Sequence, residues 1–467
     1  MENDKIEMLL QQHKTEDKVK SLFKIFTIKT LLHRAGIKKE AGVPVATIFY
    51  KLFLLAFHGC GINGMFNDKT PEGFHDTAGK DVYYRFMNNP RNNWRKLLSA
   101  VVVGIIKKLK KWNHDDSTKY LIIDDTSRHK RGRKVEFSGY FFDHVLKKTV
   151  WGMVDVFLGW SDGKTFLPLD FSIRAGNKYK EEAIKHDVDK RTSGGKRRKE
   201  ALEKKTTMMI AMLERAYQAG IDASYVMFDS WFSFPATIRN VYNIGYDVIC
   251  RLKKMETIRF IYKGQLLSIK KLYKIAKKMG KREKFKQHFV FTIDAFIQGK
   301  GECGEFPVRI VFSRDYNSKG YEAWLTTDMN LDAMEVLSHY GKRWAIETFF
   351  KVMKQNFRLG KEHSNTFEAI IGFTTLCCLR FAMLSFYQRD VSDIYTLDSI
   401  FYKFRNNSLE LATMSKVVPV LRMCFESLSS LLFQDSALKD NIIQLIDTLM
   451  SFLFKPVDFS PYRGCET

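Results

Sequence analysis

One stretch in the C-terminal half of the chain combines four residue types that handle charge. Tyr340, Arg343, Glu347 and Lys354 follow one another at intervals of three, four and seven residues. A guanidinium offers a bidentate fork to a phosphate, an ammonium a point charge and a phenol a hydroxyl, while a carboxylate can hold a metal ion. On one helix the four would share an arc of about 60°. The alternative is a solvated helix face on which Glu347 pairs with Arg343 and Lys351.

The element that must position these residues is predicted to be a single helix over Leu331–Arg358 of about seven turns. The segment contains no proline, and its one glycine, Gly341, is surrounded by good helix formers. The side opposite the polar arc is apolar, which predicts packing on a core. Its members are Ala345, Ile346, Phe349, Val352 and Met353.

The spacing Tyr-x2-Arg-x3-Glu-x6-Lys resembles the Y-R-E-K signature of DDE-class prokaryotic insertion-sequence transposases, the insertion-sequence-four family in particular. The resemblance implies that Glu347 acts with two upstream aspartates on a ribonuclease-H-like fold. It also implies that Tyr340, Arg343 and Lys354 grip end phosphates and a flipped base while a DNA hairpin forms and is resolved. Trp324 resembles the aromatic residue on which that base stacks; a buried core tryptophan is the alternative.

Aspartates stand where two apolar runs end. Tyr120–Ile123 leads into Asp124 and Asp125, and Ser224–Phe228 leads into Asp229. Both runs are predicted to be buried strands whose C-terminal edge presents the acids, although an Asp-Asp pair can also be a turn signal. Strand alternation points Asp124 and Asp125 to opposite faces, so only one of them can be a ligand. Asp124 is preferred because Asp124 and Thr126 resemble the family's Asp-x-Thr pattern, and Asp125 is the alternative.

The chemistry expected of Asp124, Asp229 and Glu347 is metal binding and catalysis. Mg²⁺ prefers hard oxygen ligands and keeps several waters, so a few carboxylates from different elements suffice. Two Mg²⁺ ions, for which Mn²⁺ can substitute, would activate a nucleophile and stabilise the leaving oxygen of a phosphoryl displacement. The three carboxylates would repel one another in a shared pocket without such positive charge.

The order of predicted elements fits a mixed α/β fold with a ribonuclease-H-like catalytic core at 111–384. Strands at Thr149–Gly159 and Lys164–Arg174 are joined by a hairpin cue, and a helix over Arg197–Ala219 precedes the second aspartate. A helix, Phe234–Ile244, and a strand, Tyr246–Arg251, follow it. Residues 253–330 read mainly as strands, which the resemblance interprets as a β-rich insertion before the Glu347 helix.

Helical segments are predicted on both sides of this core. Residues 1–110 show helical periodicity at Lys5–Phe26, Pro44–Phe57 and Trp94–Trp112, and could support the fold or, as the resemblance implies, bind transposon ends. Residues 385–467 are predicted to be a helical domain that could help the protein dimerise, with apolar stretches at Leu421–Phe433 and Ile442–Phe454.

Composition narrows the function classes. The 467 residues include 76 Lys and Arg but only 52 Asp and Glu, a net charge of +24 that favours a polyanionic partner. The N-terminus lacks the apolar core of a signal peptide, and the apolar runs Val43–Ile62 and Ile370–Leu384 contain charged or histidine residues, which predicts buried helices. Seven cysteines without CxxC spacing suit a reduced cytoplasm and exclude a common zinc module. A phosphate-binding loop of the Walker type is also absent from the sequence.

Basic clusters complete the expected DNA path: Arg128–Lys134, which includes Lys130, then Lys190–Lys205 and Lys270–Lys286. We therefore expect a bacterial, cytoplasmic, nucleoid-associated transposase that acts as a homodimer on double-stranded terminal inverted repeats and target DNA, with Mg²⁺ and without a membrane or nucleotide cofactor. The alternatives are a nuclease or resolvase of the same fold, or a domesticated protein that only binds DNA.

Overall fold

The protein is described by a computed structural model, which places residues 15–67, 70, 74, 79–112, 117–177, 179, 187–279, 283–285, 287–299, 304–318, 320–391, 395–432 and 444. The helices, in chain order, are α1 (Thr15–Ile25), α2 (Ile28–Arg34), α3 (Val45–Leu54), α4 (Ile62–Met65), α5 (Lys80–Met87), α6 (Trp94–Trp112), α7 (Ser193–Glu200), α8 (Lys205–Gln218), α9 (Pro235–Ile244), α10 (Ile269–Lys278), α11 (Ala333–Gly341), α12 (Trp344–Gln355), α13 (Phe367–Val391) and α14 (Leu397–Leu432). The strands are β1 (Tyr120–His129), β2 (Gly139–Asp143), β3 (Lys148–Ser161), β4 (Phe166–Arg174), β5 (Tyr225–Phe228), β6 (Asp247–Arg251), β7 (Arg259–Tyr262), β8 (Gln265–Ser268), β9 (Glu283–Phe285), β10 (His288–Ile297), β11 (Phe306–Asp315) and β12 (Glu322–Thr326).

The chain divides into two compact units. The first comprises Met1–Ile105, Asp187–Gly195 and Val352–Thr467, and the second comprises Ile106–His186 and Lys196–Lys351. These bounds differ from the expected domain limits at 110/111 and 384/385, because the N- and C-terminal helical segments share one unit. The roles expected for those segments, end recognition and dimerisation, stay predictions.

The described part of the first unit is helical. The side chains of Phe23, Phe49, Tyr50 and Phe53 pack ring against ring, with centroids 5.1–5.7 Å apart around Phe23, and form its aromatic core. Within α13, Phe367–Arg389 is long and apolar enough to cross a membrane, but 94% of its apolar window is buried inside the protein, as in a core helix.

The predicted terminal helices are only partly within the described residues. Helix α1 covers the second half of the predicted Lys5–Phe26, and residues 5–14 lie outside the described part of the chain. Leu421–Leu432 belongs to the long helix α14, whereas Ile442–Phe454 lies outside the described residues except for Gln444.

The second unit is built on one mixed sheet of twelve strands. Its core has the order β4-β3-β1-β5-β6, in which β1, β3 and β4 are antiparallel and β5 and β6 run parallel to β1. An antiparallel meander followed by two parallel strands is the strand order of a ribonuclease-H-like fold. The mixed α/β class and this core, predicted from the sequence, are confirmed.

The meander is held by a buried ion pair and a close backbone approach. Arg128 of β1 and Asp155 of β3, each 1% exposed, are joined by Nε and Nη2 contacts of 2.7–3.0 Å to both carboxylate oxygens. Gly152 of β3 has a φ of +153°, and a Cβ there would lie 2.0 Å from the carbonyl oxygen of Arg128. A side chain at position 152 is therefore incompatible with this β1–β3 pairing.

The expected β-rich insertion forms a continuation of the sheet. β12 pairs with the core strand β6, and β11, β10, β7 and β8 follow outward. The insertion also contains the helix α10, which the strand-dominated prediction missed. Its Ile269, Leu272 and Ala276 are buried at helical spacing, while lysines occupy intervening positions. The lysine-rich run that begins at Lys270 is thus the polar face of an amphipathic helix.

Two predicted helices are each broken in two. The helix expected over Arg197–Ala219 consists of α7 and α8, because the turn between them is tied to the end of β4: Ala201 O accepts a hydrogen bond from Ala175 N at 2.8 Å. The helix expected over Leu331–Arg358 consists of α11 and α12. Between them Arg343 N and Ile346 N bond to carbonyls three residues earlier, a tighter turn than the α-helix. Single long helices were therefore wrong at both places.

Candidate active site

The first candidate ligand, Asp124, lies inside β1 and not at its end, because β1 continues to His129. The parallel pairing with β5 nevertheless stops one residue earlier, at Ile123 opposite Phe228. Asp124 and Asp229 are the next residues of these two neighbouring strands, which are about 4.8 Å apart in a sheet. The tertiary structure thus brings the two predicted aspartates to adjacent backbone positions.

Arg343 connects Asp124 with Glu347. Its Nη1 donates to Asp124 Oδ2 at 2.6 Å and its Nη2 donates to Glu347 Oε1 at 3.0 Å. Only 13% of the Arg343 side chain and 15% of the Asp124 side chain are exposed, so the bond between them is largely buried, whereas Glu347 is 38% exposed and its bond is open to solvent. The four polar residues predicted to share one face of a single helix are therefore not on one helix. Arg343 lies in the turn before α12 and contacts both carboxylates from there.

The electrostatics of this group are dominated by burial. Burial raises the pKa of the Asp124 carboxyl to about 7, the positive charge of Arg343 opposes that rise, and the charges of Asp125 and Glu347 add to it. Burial disfavours the charged guanidinium, but the nearby Tyr340 and Asp124 more than compensate, and the pKa of Arg343 is raised. An anionic Asp124 thus requires a cation beside it, and Arg343 provides one.

The charge of Asp229 acts on Tyr340. Burial and the charge of Asp229 raise the pKa of the Tyr340 phenol, against the opposing charge of Arg343. The same carboxylate acts on Arg251 and on the buried thiol of Cys250. Both Asp229 and Arg343 thus act electrostatically on Tyr340, and the predicted Tyr340, Arg343, Asp124, Asp229 and Glu347 all belong to the second unit.

Asp125 points elsewhere. Its Oδ1 accepts a hydrogen bond from Lys205 Nζ at 3.0 Å, at the start of α8. Asp124 and Tyr120 lie on the opposite face of β1 from Asp125. Asp124 bonds to Arg343, which follows α11, and Tyr120 Oη lies 2.6 Å from Nδ1 of His339 within α11. The structure thus places Asp124, and not Asp125, beside Arg343 and Glu347. The contact of Tyr120 with His339, which fastens α11 to β1, was not foreseen.

Trp324 is half-buried in β12, and its ring packs edge-on against Tyr340 with centroids 6.2 Å apart. The Trp324 indole Nε1 and the Tyr340 hydroxyl are buried and find no hydrogen-bond partner among the described residues. Two unsatisfied polar groups side by side are costly unless something binds them. This pair offers two hydrogen-bonding groups to a polar ligand.

Lys354 and Lys130 complete the predicted set. Lys354 lies on α12, seven residues or about two turns after Glu347. Lys130 follows β1 directly and is half-buried, with its backbone N bonded to Trp151 O at 2.9 Å. The DNA-binding roles expected for Lys354 and Lys130 stay predictions.

The basic clusters contain structural residues as well as exposed ones. Arg128 is buried against Asp155, and Arg198 is buried against Glu136 with 2.6 Å between Nη2 and Oε2. In contrast, residues 131–134 are exposed. Buried arginines cannot neutralise a DNA backbone, so the basic path expected from sequence is smaller than the lysine and arginine count suggested.

The donor chemistry of the site suits a divalent cation. Asp124 and Glu347 offer hard oxygen atoms to the same guanidinium, and the mostly buried Asp124 is stable as an anion only beside positive charge. Within the described residues, no group of three His, Cys, Asp or Glu side chains is gathered around one point. Instead the cation between the two carboxylates is Arg343.

Residues 64–283 match the family model of the DDE superfamily endonuclease. This match supports a DDE-type transposase or nuclease family and a nuclease-type enzyme with DNA as substrate, and DDE superfamily endonucleases depend on divalent metal ions. It includes Asp124 and Asp229, whereas Glu347 lies beyond it. No curated protein matches the chain.

The DDE match also covers a residue that sequence reasoning did not select. Trp231 lies two residues after Asp229 and is 41% exposed, with Lys253 Nζ 4.0 Å from its ring centroid. In the sequence this tryptophan stands in the segment Asp229-Ser-Trp-Phe-Ser, directly after a predicted strand. A tryptophan beside a candidate ligand was the available signal, but exposure and the approach of Lys253 from another strand end are tertiary properties.

Proposed function

We propose that the protein is the transposase of an insertion sequence, of the insertion-sequence-four type. It binds terminal inverted repeats as a homodimer, cleaves the DNA ends by a Mg²⁺-dependent reaction and joins them to target DNA. The observation that carries this proposal is the Arg343 bridge between Asp124 and Glu347, next to the strand position of Asp229.

Asp124, Asp229 and Glu347 would hold the metal ions, which supply positive charge to activate the attacking oxygen and to stabilise the leaving oxygen. Mn²⁺ can replace Mg²⁺ because the ligands are oxygen atoms. In this proposal Arg343 moves from neutralising the carboxylates to binding a phosphate, for which its planar fork is suited. Tyr340 and Trp324 contribute their unsatisfied hydroxyl and indole N–H to the bound DNA end.

The second candidate is a nuclease or resolvase that cuts without strand transfer. It is favoured by the extent of the family match, whose description is that of an endonuclease and which ends before the Y-R-E-K residues. A domesticated protein that only binds DNA has less support, because all three candidate carboxylates are present.

The test is incubation of the full chain with labelled DNA carrying the inverted repeats that flank its gene, with Mg²⁺ or with EDTA. Transposition predicts nicked, hairpin and strand-transfer products with Mg²⁺ only. Nicks without joining would identify the nuclease, and binding without cleavage would identify the DNA-binding protein. Inverted repeats that are missing from both flanks would also count against transposition.

The site assignment is tested with Asp124→Asn, Asp229→Asn and Glu347→Gln, each of which should abolish cleavage and leave binding of the DNA ends largely intact. The matched control is Asp222→Asn, since the Asp222 side chain is 62% exposed and forms a surface ion pair with Lys110. The control should cleave at the wild-type rate. Full cleavage by the three site variants would contradict the assignment.

A further inference from the structure

A row of exposed aromatic rings lies at the edge of the second unit. Phe142 and His144, at the tip of the β2–β3 hairpin, have ring centroids 5.0 Å apart, and His144 lies 4.4 Å from the ring of Trp231. Phe142 is 52% and Trp231 41% exposed. Large aromatic side chains are normally buried for their hydrophobic contribution, so three in contact at the surface suggest a binding surface.

The hairpin tip that carries two of these rings is held in one conformation. Asp143 Oδ1 accepts hydrogen bonds from Val145 N and Leu146 N, both at 2.9 Å, and Asp143 Oδ2 lies 2.7 Å from His129 Nε2. Val145, in this turn, is 89% exposed. A preformed surface loses little conformational entropy when a ligand binds.

Positive charge flanks the row. Lys253 Nζ lies 4.0 Å from the Trp231 ring centroid, and Lys205 Nζ lies 5.5 Å from it. Lys205 also pairs with Asp125, whereas Lys253 has no carboxylate partner in the described part of the chain. Its neighbour Lys254, by contrast, pairs with Glu322 at 3.2 Å. An ammonium with no carboxylate beside an exposed indole suits a ligand that combines a flat ring with negative charge.

The row is also close to the candidate active site along the chain. Trp231 follows Asp229 by two residues, so their Cα atoms are at most about 7 Å apart. Aromatic side chains with neighbouring cations are the combination that binds unpaired nucleotides, because every base has a face that stacks and every nucleotide a phosphate. A base-paired duplex offers its phosphates but not these faces.

We propose that Phe142, His144 and Trp231 form a stacking surface for unpaired nucleotides of the DNA, with Lys253 and Lys205 beside the phosphates. The inference rests on the proposed function, because it assumes that DNA strands separate next to Asp229. It adds that the protein recognises unpaired DNA on the β2–β3 hairpin and the loop after β5, a surface distinct from Trp324 and Tyr340.

The experiment compares two labelled oligonucleotides of the same sequence by fluorescence anisotropy with the full chain. One is a blunt duplex, and the other carries an unpaired tract of about six nucleotides. Wild-type protein should bind the second more tightly. Trp231→Ala should weaken binding to the unpaired tract about tenfold, because one base loses its stacking partner. Binding to the duplex should change less than about twofold.

Matched controls separate stacking from general effects. Tyr242→Ala removes a ring that is also 41% exposed but has no described lysine or arginine over it, and should change neither affinity. Lys253→Ala should weaken binding to the unpaired tract and reduce its salt dependence, whereas Lys254→Ala should leave both unchanged. Trp231→Phe keeps a stacking ring and should retain most of the affinity. This result would show that the loss in Trp231→Ala comes from the missing ring and not from misfolding.

Equal losses for the two oligonucleotides, or no loss, would overturn the stacking surface. So would wild-type protein that binds both equally tightly. In those cases Mg²⁺-dependent cleavage of the terminal repeats can still be observed, so the proposed function would stand. Wild-type protein that binds neither oligonucleotide and cleaves no repeat would contradict both.

Discussion

Arg343 donates a hydrogen bond from Nη1 to Asp124 Oδ2 at 2.6 Å, although the two residues are 219 positions apart. The bond closes the turn between α11 and α12 onto β1, and through Nη2 it includes Glu347. It joins the central strand of a ribonuclease-H-like core to the helix that carries the third candidate ligand.

Replacement of Arg343 should therefore affect catalysis more than stability. Arg343→Lys keeps one positive charge but cannot donate to both carboxylates in a planar fork. We expect the rate of DNA cleavage to fall by about 100-fold, the usual cost of losing one positioned donor. Single-turnover cleavage with saturating protein measures this, and circular dichroism checks the fold. A variant that cleaves at the wild-type rate would show that the fork is dispensable.

Asp125 provides the matched comparison for Asp124. Because Asp125 pairs with Lys205 on the other face of β1, Asp125→Asn should reduce cleavage no more than a few-fold, while Asp124→Asn abolishes it. The surviving activity is measured in the same Mg²⁺-dependent assay. The opposite order of effects would make Asp125 the ligand.

The buried pair of Arg128 and Asp155 should matter for folding. Asp155→Asn removes the carboxylate charge that faces a guanidinium only 1% exposed, and breaking a buried ion pair typically costs about 3–5 kcal/mol of the free energy of unfolding. Asp294→Asn removes a carboxylate that is 53% exposed and bonded to Arg309, and should cost less than about 1 kcal/mol. Urea denaturation compares the two variants. Equal losses would mean that burial does not set the strength of these pairs.

Substitution of Gly152 tests the close backbone approach between β1 and β3. An alanine Cβ would meet the Arg128 carbonyl oxygen at 2.0 Å, so Gly152→Ala should lower the free energy of unfolding by about 3 kcal/mol. In Gly104→Ala the new Cβ meets only an ordinary contact, 3.8 Å from the Phe26 ring. That variant should be neutral or more stable by about 1 kcal/mol, since alanine favours the helix. Thermal unfolding of both proteins measures the difference.

Much of the fold could be read from local sequence. The apolar run before Asp229 predicted β5, the turn residues after Trp160 predicted the β3–β4 hairpin, and the order of elements predicted the ribonuclease-H-like core. These features depend on hydrophobic periodicity and turn chemistry, which are properties of neighbouring residues. Local sequence also predicted one helix over Leu331–Arg358, whereas the structure has two helices with a turn at Arg343. Helix propensity contains no information about the tertiary contacts that interrupt a helix.

The sequence by itself determined which residue types are available: three carboxylates, the Tyr340–Lys354 spacing and an excess of positive charge. Only the tertiary structure decided their partners. It turned Asp124 toward Arg343 and Asp125 toward Lys205, buried Arg128 against Asp155, and exposed Trp231 beside Lys253. The reason is physical: the charge state and role of a side chain depend on burial and on neighbours from distant segments, and chain folding alone brings those together.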